Sequence, residues 1–117
     1  MLTYVLVRHK VRDYSAWKPV YDTYLPKRLE AGLTEKYLFR GATDTNEVIL
    51  LFEIKDLSRA KALFESADLR ETIQKAGVID RPDLYFWLSR REFLRKLQVI
   101  TQNIGPSRVV LGGSVLL

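Results

Sequence analysis

Seven residues in this chain carry side chains suited to acid–base work on a phenol or enol, or to lining a pocket beside it. His9, Glu53 and Tyr85 supply an imidazole, a carboxylate and a phenol. Such a set beside an apolar pocket can move a proton on and off a phenol or enol. Tyr14, Trp17, Tyr21 and Trp87 supply flat rings against which a planar ligand can lie. The stretch "VRHKVRDYSAWKPVYDTY", Val7 to Tyr24, holds the only histidine, one of the two tryptophans and three of the six tyrosines.

Each of these residues also has a plainer reading. A lone histidine at a strand end is more often structural or solvated than catalytic. Glu53 at a strand end commonly pairs with a surface lysine or arginine. Trp17 and Tyr21 share a helical spacing with Tyr24, which is the usual signature of a core-facing stripe. Tyr85 and Trp87 on a strand are explained equally well as packing.

The elements that would position them follow from periodicity. Residues 2–11 are β-branched and aromatic, as in a strand. Asp13 is a helix cap, and Trp17, Tyr21, Tyr24 and Arg28 then recur on one helical face. Pro19 and Pro26 fall on the opposite face, where they predict one curved helix ending at Gly32. Residues 33–40 form a second strand, "GATDTN" a turn, and "EVILLFEI" (Glu47 to Ile54) a third strand. A helix opens at Ser58, and the Asp68–Glu71 spacing predicts that it breaks and restarts before Gly77. Residues 82–89 form a fourth strand.

The order β-α-β-β-α-β predicts an α+β, ferredoxin-like fold: a four-stranded antiparallel sheet with its helices on one face. Within it the first and third strands are expected as a parallel central pair, with the fourth running against the first. That arrangement would gather His9, Glu53 and Tyr85 at one end of the sheet, beside Tyr14 and Trp17. The face to which His9 points is open, because it travels with Val5 and Val7.

The sheet's second face has no helices of its own. A sheet with one wet face alternates apolar and polar residues. Here Val48, Leu50 and Phe52 alternate with Ile49 and Leu51, and Leu84, Phe86 and Leu88 alternate with Tyr85 and Trp87. Both parities are apolar, so the bare face is expected to be covered by a second copy in a two-fold homodimer.

The pattern "RHKVRDYSAWKPVYD", then "FRGATDTNEVILLFEIKDLSRAKALFES", then "LRETIQKAGV" resembles the dimeric α+β barrel superfamily. That group includes antibiotic-biosynthesis-type monooxygenases, polyketide cyclase-like proteins and stress-responsive barrel proteins. The likeness covers residues 2–89. It implies a barrel dimer, a small apolar or aromatic ligand, and oxidation or cyclisation of a phenolic or polyketide-like compound without a cofactor. A non-enzymatic binding or stress-response role is the alternative it allows. No family catalytic motif falls on Trp17.

Other classes are disfavoured. With no cysteine and one histidine, thiolate and conventional zinc sites are not expected. "RGATDTNE" has one glycine and is not a phosphate loop. RNA-binding domains of this topology need basic and aromatic residues on the third strand, whereas "EVILLFEI" carries two glutamates and no lysine or arginine. The net charge of +5 is uneven: residues 90–117 carry +4 and residues 1–89 only +1. No nucleic-acid partner is therefore expected. No apolar run reaches a membrane-span length and the N-terminus does not read as a signal peptide, which makes the cytoplasm the expected location.

Residues 1–89 are expected as the barrel domain and 90–117 as an extension. "RREFLRKLQVI" has the spacing of a basic amphipathic helix. It reads either as an arm for a partner or membrane surface, or as a tail without a role.

Overall fold

The computed structural model describes residues 3–89 and, near the C-terminus, residues 110–111 and 114–115. The chain divides into two compact units, residues 1–87 and 88–117. In the second, β5 (Val110–Leu111) and β6 (Ser114–Val115) pair antiparallel. The basic amphipathic stretch expected over 90–100 lies outside the described residues.

The first unit is built on β1 (Thr3–Lys10), β2 (Leu33–Arg40), β3 (Glu47–Ile54) and β4 (Asp83–Leu88), in the sheet order β2-β3-β1-β4. Its helices are α1 (Tyr14–Thr23), α2 (Leu25–Glu30), α3 (Leu57–Phe64) and α4 (Ala67–Lys75). This is the expected α+β, ferredoxin-like arrangement.

Strand direction corrects one expectation. β1 and β3 are adjacent but antiparallel, with His9 opposite Val48 and Tyr4 opposite Glu53. The single helical crossover after β1 sets β2 running the same way as β1, and the β2–β3 hairpin then reverses β3. Strand three therefore starts where strand one ends.

The helix details also differ. The curved helix expected up to Gly32 is interrupted at Tyr24, and Pro26 lies in the first turn of α2, where its missing N–H costs nothing. Pro19 stays inside α1 on the exposed side. The Asp13 carboxylate caps α1 by accepting from the Ser15 amide at 3.0 Å. The next helix starts before Ser58, with Asp56 as its cap, and the restart is capped by Ser66 rather than Asp68. Gly32 and Gly77 end the two helical stretches at φ 79° and 83°, a region that only glycine enters freely.

Strict alternation of burial shows which face is covered. Val5, Val7 and His9 of β1 and Val48, Leu50, Phe52 and Ile54 of β3 are buried beneath the helices. The apolar ones pack with Trp17, Leu33, Ala60 and Ala76 into one core. Tyr4, Leu6 and Arg8, with Glu47, Ile49, Leu51 and Glu53, take the opposite face.

A bulge between Glu35 and Tyr37 shifts β2 by one residue. One inserted residue inverts every side chain after it. Leu38 therefore faces the core, while Tyr37 and Phe39 stand opposite Leu51 and Ile49 on the open face, more than half exposed. On β4, Phe86 meets Phe64 of α3 edge to face, which leaves Tyr85 and Trp87 on the open side. The second face of the sheet is thus lined with apolar and aromatic groups.

Candidate functional site

A cavity of about 460 Å³ lies between the sheet and the helices. Its size is ordinary for a small-molecule site, roughly 300–1,000 Å³. Val7, Leu50 and Phe52 form part of its floor, and Leu63, Phe64 and Ile73 part of its helical wall. Trp17, Tyr21, Tyr24 and Arg28 enter from α1, its C-terminal cap and α2. That is the helical face marked out by their spacing.

His9 lines the same cavity. It is 5 % exposed, and neither Nδ1 nor Nε2 has a hydrogen-bond partner among the described residues. Burial drives its pKa down from 6.5 to about 4, against the attraction of Asp80 and with the repulsion of Arg8. The ring is therefore neutral near pH 7, with one nitrogen able to donate and the other to accept. Buried polar groups are nearly always paired, so this one is an exception that calls for a reason.

A row of stacked groups runs from His9 across the cavity. The imidazole meets the Trp17 indole edge-on at 5.6 Å. Trp17 stacks on Tyr21 at 4.7 Å and 18°, and the Arg28 guanidinium covers Tyr21 at 3.7 Å from its centroid. The Tyr21 hydroxyl donates to Glu35 at 2.6 Å, and burial together with that bond pushes its pKa well above the usual phenol value. The Tyr24 hydroxyl donates to Asp68 at 2.8 Å, and burial and this bond push it up to about 12. Both phenols stay protonated.

The candidate residues from the sequence separate into three groups. His9, Trp17 and Tyr21 line the cavity. Tyr14 flanks Trp17 at 5.6 Å, with the Arg40 guanidinium over its ring at 3.8 Å. Glu53, Tyr85 and Trp87 are elsewhere.

The expected gathering of His9, Glu53 and Tyr85 does not occur. Glu53 sits five residues along β3 from Val48, the partner of His9, which is roughly 17 Å at the usual strand rise. It is also on the open face, where it pairs with Lys36 at 3.6 Å. Glu53 therefore neither fixes the tautomer of His9 nor raises its pKa. The acid nearest in effect is Asp80, whose carboxylate accepts from the Lys10 amide at 2.8 Å and from Arg8. Burial opposes the charge on Asp80, but these bonds outweigh it and keep its pKa low.

Arg28 had only a place on the helical face in the sequence and no role. Its signal was a cation on an otherwise apolar, aromatic stripe. Arg70 and Arg81 also line the cavity and had no signal at all. Among the described residues there is no cluster of three metal-ligating side chains, and no helix is long and apolar enough to cross a membrane.

No protein-family profile matches this sequence, and no curated protein does. Solved structures do share its fold. A protein from Bordetella bronchiseptica described as an antibiotic biosynthesis monooxygenase superposes with a TM-score of 0.61 at 14 % identity, covering 76 % of this chain and 98 % of its own. SnoaB, a cofactor-independent oxygenase from Streptomyces nogalater, gives 0.58 at 11 % identity, with coverage of 75 % and 92 %. A conserved protein from Methanosarcina mazei gives 0.59 at 12 % identity, with coverage of 77 % and 95 %. The chain thus has the ferredoxin-like α+β fold of the antibiotic biosynthesis monooxygenase-like proteins.

Proposed function

We propose that this chain is a homodimeric small-molecule-binding protein. Its cavity takes a flat aromatic or polyketide-like compound and oxidises it with dioxygen, without a cofactor. The observation that carries this reading is His9: a neutral imidazole with no partner, buried in an apolar cavity large enough for such a ligand. A phenol or enol placed there would satisfy the ring at once.

The chemistry would begin with a hydrogen bond from the ligand's hydroxyl to the free imidazole nitrogen. Moving that proton to His9 leaves an electron-rich enolate, and the imidazolium is held by the anion it has made. The enolate carbon can give two electrons to dioxygen, and the peroxide anion takes the proton back from the His9 imidazolium to become a hydroperoxide. Loss of water then converts the original CH2 to a carbonyl, so that CH2 and O2 become C=O and H2O. The Trp17–Tyr21 stack would border the ring system, and the apolar walls would keep bulk water away. The fold shared with a cofactor-independent oxygenase supports this choice of chemistry. The same enolate could instead attack a carbonyl of its own chain, which is the cyclase variant.

A second reading has its own support. A histidine whose pKa lies near 4 is a weak base at neutral pH, which favours uptake without turnover. The two are told apart by incubating the protein with a soluble anthrone or naphthol under oxygen and under argon. Oxygen-dependent product that is lost in His9→Leu supports the oxygenase. Saturable binding with no product supports the binding protein. Native mass spectrometry of protein taken from its own cells gives the assembly and any retained ligand together.

A further inference from the structure

Arg28 is the second buried group that the fold leaves poorly matched. It is 7 % exposed and lines the cavity. Its Nη1 donates to the carbonyl of Tyr21, and its plane lies on the Tyr21 ring. No carboxylate among the described residues reaches ion-pair distance of it. Glu35 and Asp22 act on it only through space, and Glu35 already accepts from Tyr21. A guanidinium has five N–H donors in a planar fork, and a buried cation without a counter-ion is costly.

The rest of the lining points the same way. Arg70 and Arg81 stand exposed on the cavity's border, and no aspartate or glutamate among the described residues lines it. An apolar chamber whose only charges are cationic attracts anions and repels cations. Arg28 ends the row of rings that starts at His9, in steps of 5.6, 4.7 and 3.7 Å. Two buried polar groups, His9 without a hydrogen bond and Arg28 without a counter-ion among the described residues, thus stand at the ends of one row of rings packed on each other.

We propose that the ligand of this cavity is a flat fused aromatic that carries a carboxylate: the carboxylate pairs with the remaining N–H groups of Arg28, the rings fill the apolar cavity beside the Trp17–Tyr21 stack, and a polar group towards the other end bonds to His9. The inference rests on the reading of the cavity as a small-molecule site and narrows its ligand to an organic anion.

The test compares naphthoic acid and anthracene carboxylic acid with their neutral carboxamides by titration calorimetry. On the wild-type protein the acids are expected to bind about tenfold or more tighter than the amides, as a charge-assisted bond to a buried cation implies. In Arg28→Gln that preference falls to about one, while the amides bind much as before. Equal affinity of acids and amides for the wild type overturns the anion assignment and leaves the aromatic cavity standing. Failure of both acids and amides to bind overturns the cavity reading as well. Naphthyl phosphate binding tighter than naphthoate moves the assignment from carboxylate to phosphate ester. Should Arg28→Gln not fold, the acid-to-amide ratio on the wild type decides by itself.

Discussion

The imidazole of His9 touches the indole of Trp17 edge to face at 5.6 Å, and it has no hydrogen bond to any described residue. An aromatic edge contact is worth about 0.5–1.5 kcal/mol. An unmade buried hydrogen bond costs about 1–3 kcal/mol. The contact therefore does not offset the missing partner, and His9 is held neutral in a place that an apolar residue would fill at less cost.

Acid should expose this. The folded pKa near 4 lies below the unfolded value near 6.5, so the unfolded chain takes up an extra proton between those pH values. Stability is full above about pH 6.5 and falls as the pH drops to 4, below which both states are protonated. The loss is on the order of 3 kcal/mol. Asp44, Asp68 and Asp80 have lowered pKa values, so their contributions fade only below about 3.8, under the histidine window. Urea unfolding at intervals from pH 7 to 4 reads the slope directly. A flat profile in that range would show that His9 finds a partner in solution.

The variant His9→Leu is expected to unfold at a higher temperature than the wild type, by about 1 kcal/mol or roughly 4 °C. It should also lose the pH 4–6.5 slope and bind aromatic ligands more weakly. Calorimetry with and without ligand checks all three. A variant that is much less stable would mean that His9 is an ordinary structural residue.

What the sequence could reveal depended on whether neighbours in the chain carried the information. The face made by Trp17, Tyr21, Tyr24 and Arg28 was legible because helical spacing is a local property, and all four line the cavity. The strand "EVILLFEI" was legible for the same reason. The parity of His9 was not, because Tyr4 and Leu6 are as apolar as Val5 and Val7, so either face of β1 would pass for the buried one. The placement of Glu53 failed on strand direction, which follows from how crossover and hairpin combine and not from any residue of β3. Tyr37 and Phe39 owe their outward direction to the bulge at Glu35–Tyr37, and nothing in "LTEKYLFR" marks it.

Filling the cavity should separate binding from folding. Ala76 is buried and lines the cavity just after α4. Ala76→Leu adds three carbons where there is room for them, so stability should rise by about 0.5–2 kcal/mol, as for other cavity-filling changes. Ligand affinity should drop by at least tenfold, measured against naphthoate or anthracene carboxylate. A stabilised variant with unchanged affinity would place the ligand outside this cavity.

The open face of the sheet carries the last prediction. Tyr37, Phe39, Tyr85 and Trp87 are each more than half exposed, and Ile49 and Leu51 lie on the same side. Covering a large apolar side chain gains about 1.5–3 kcal/mol, so a few of these together are enough to hold two copies. Arg8 sits on this face bound to Glu47, Asp80 and Asp83 at 3.1–3.3 Å, so the cation comes with its counter-ions and adds little barrier to contact. Light scattering at micromolar concentration should give twice the chain mass of 13.6 kDa. Ile49→Glu with Trp87→Glu should bring it to a single chain, because each would bury an unpaired carboxylate in the interface. The core beneath the helices would be untouched, so far-ultraviolet circular dichroism should keep its folded form. A wild-type protein that already scatters as one chain would require some other cover for this face.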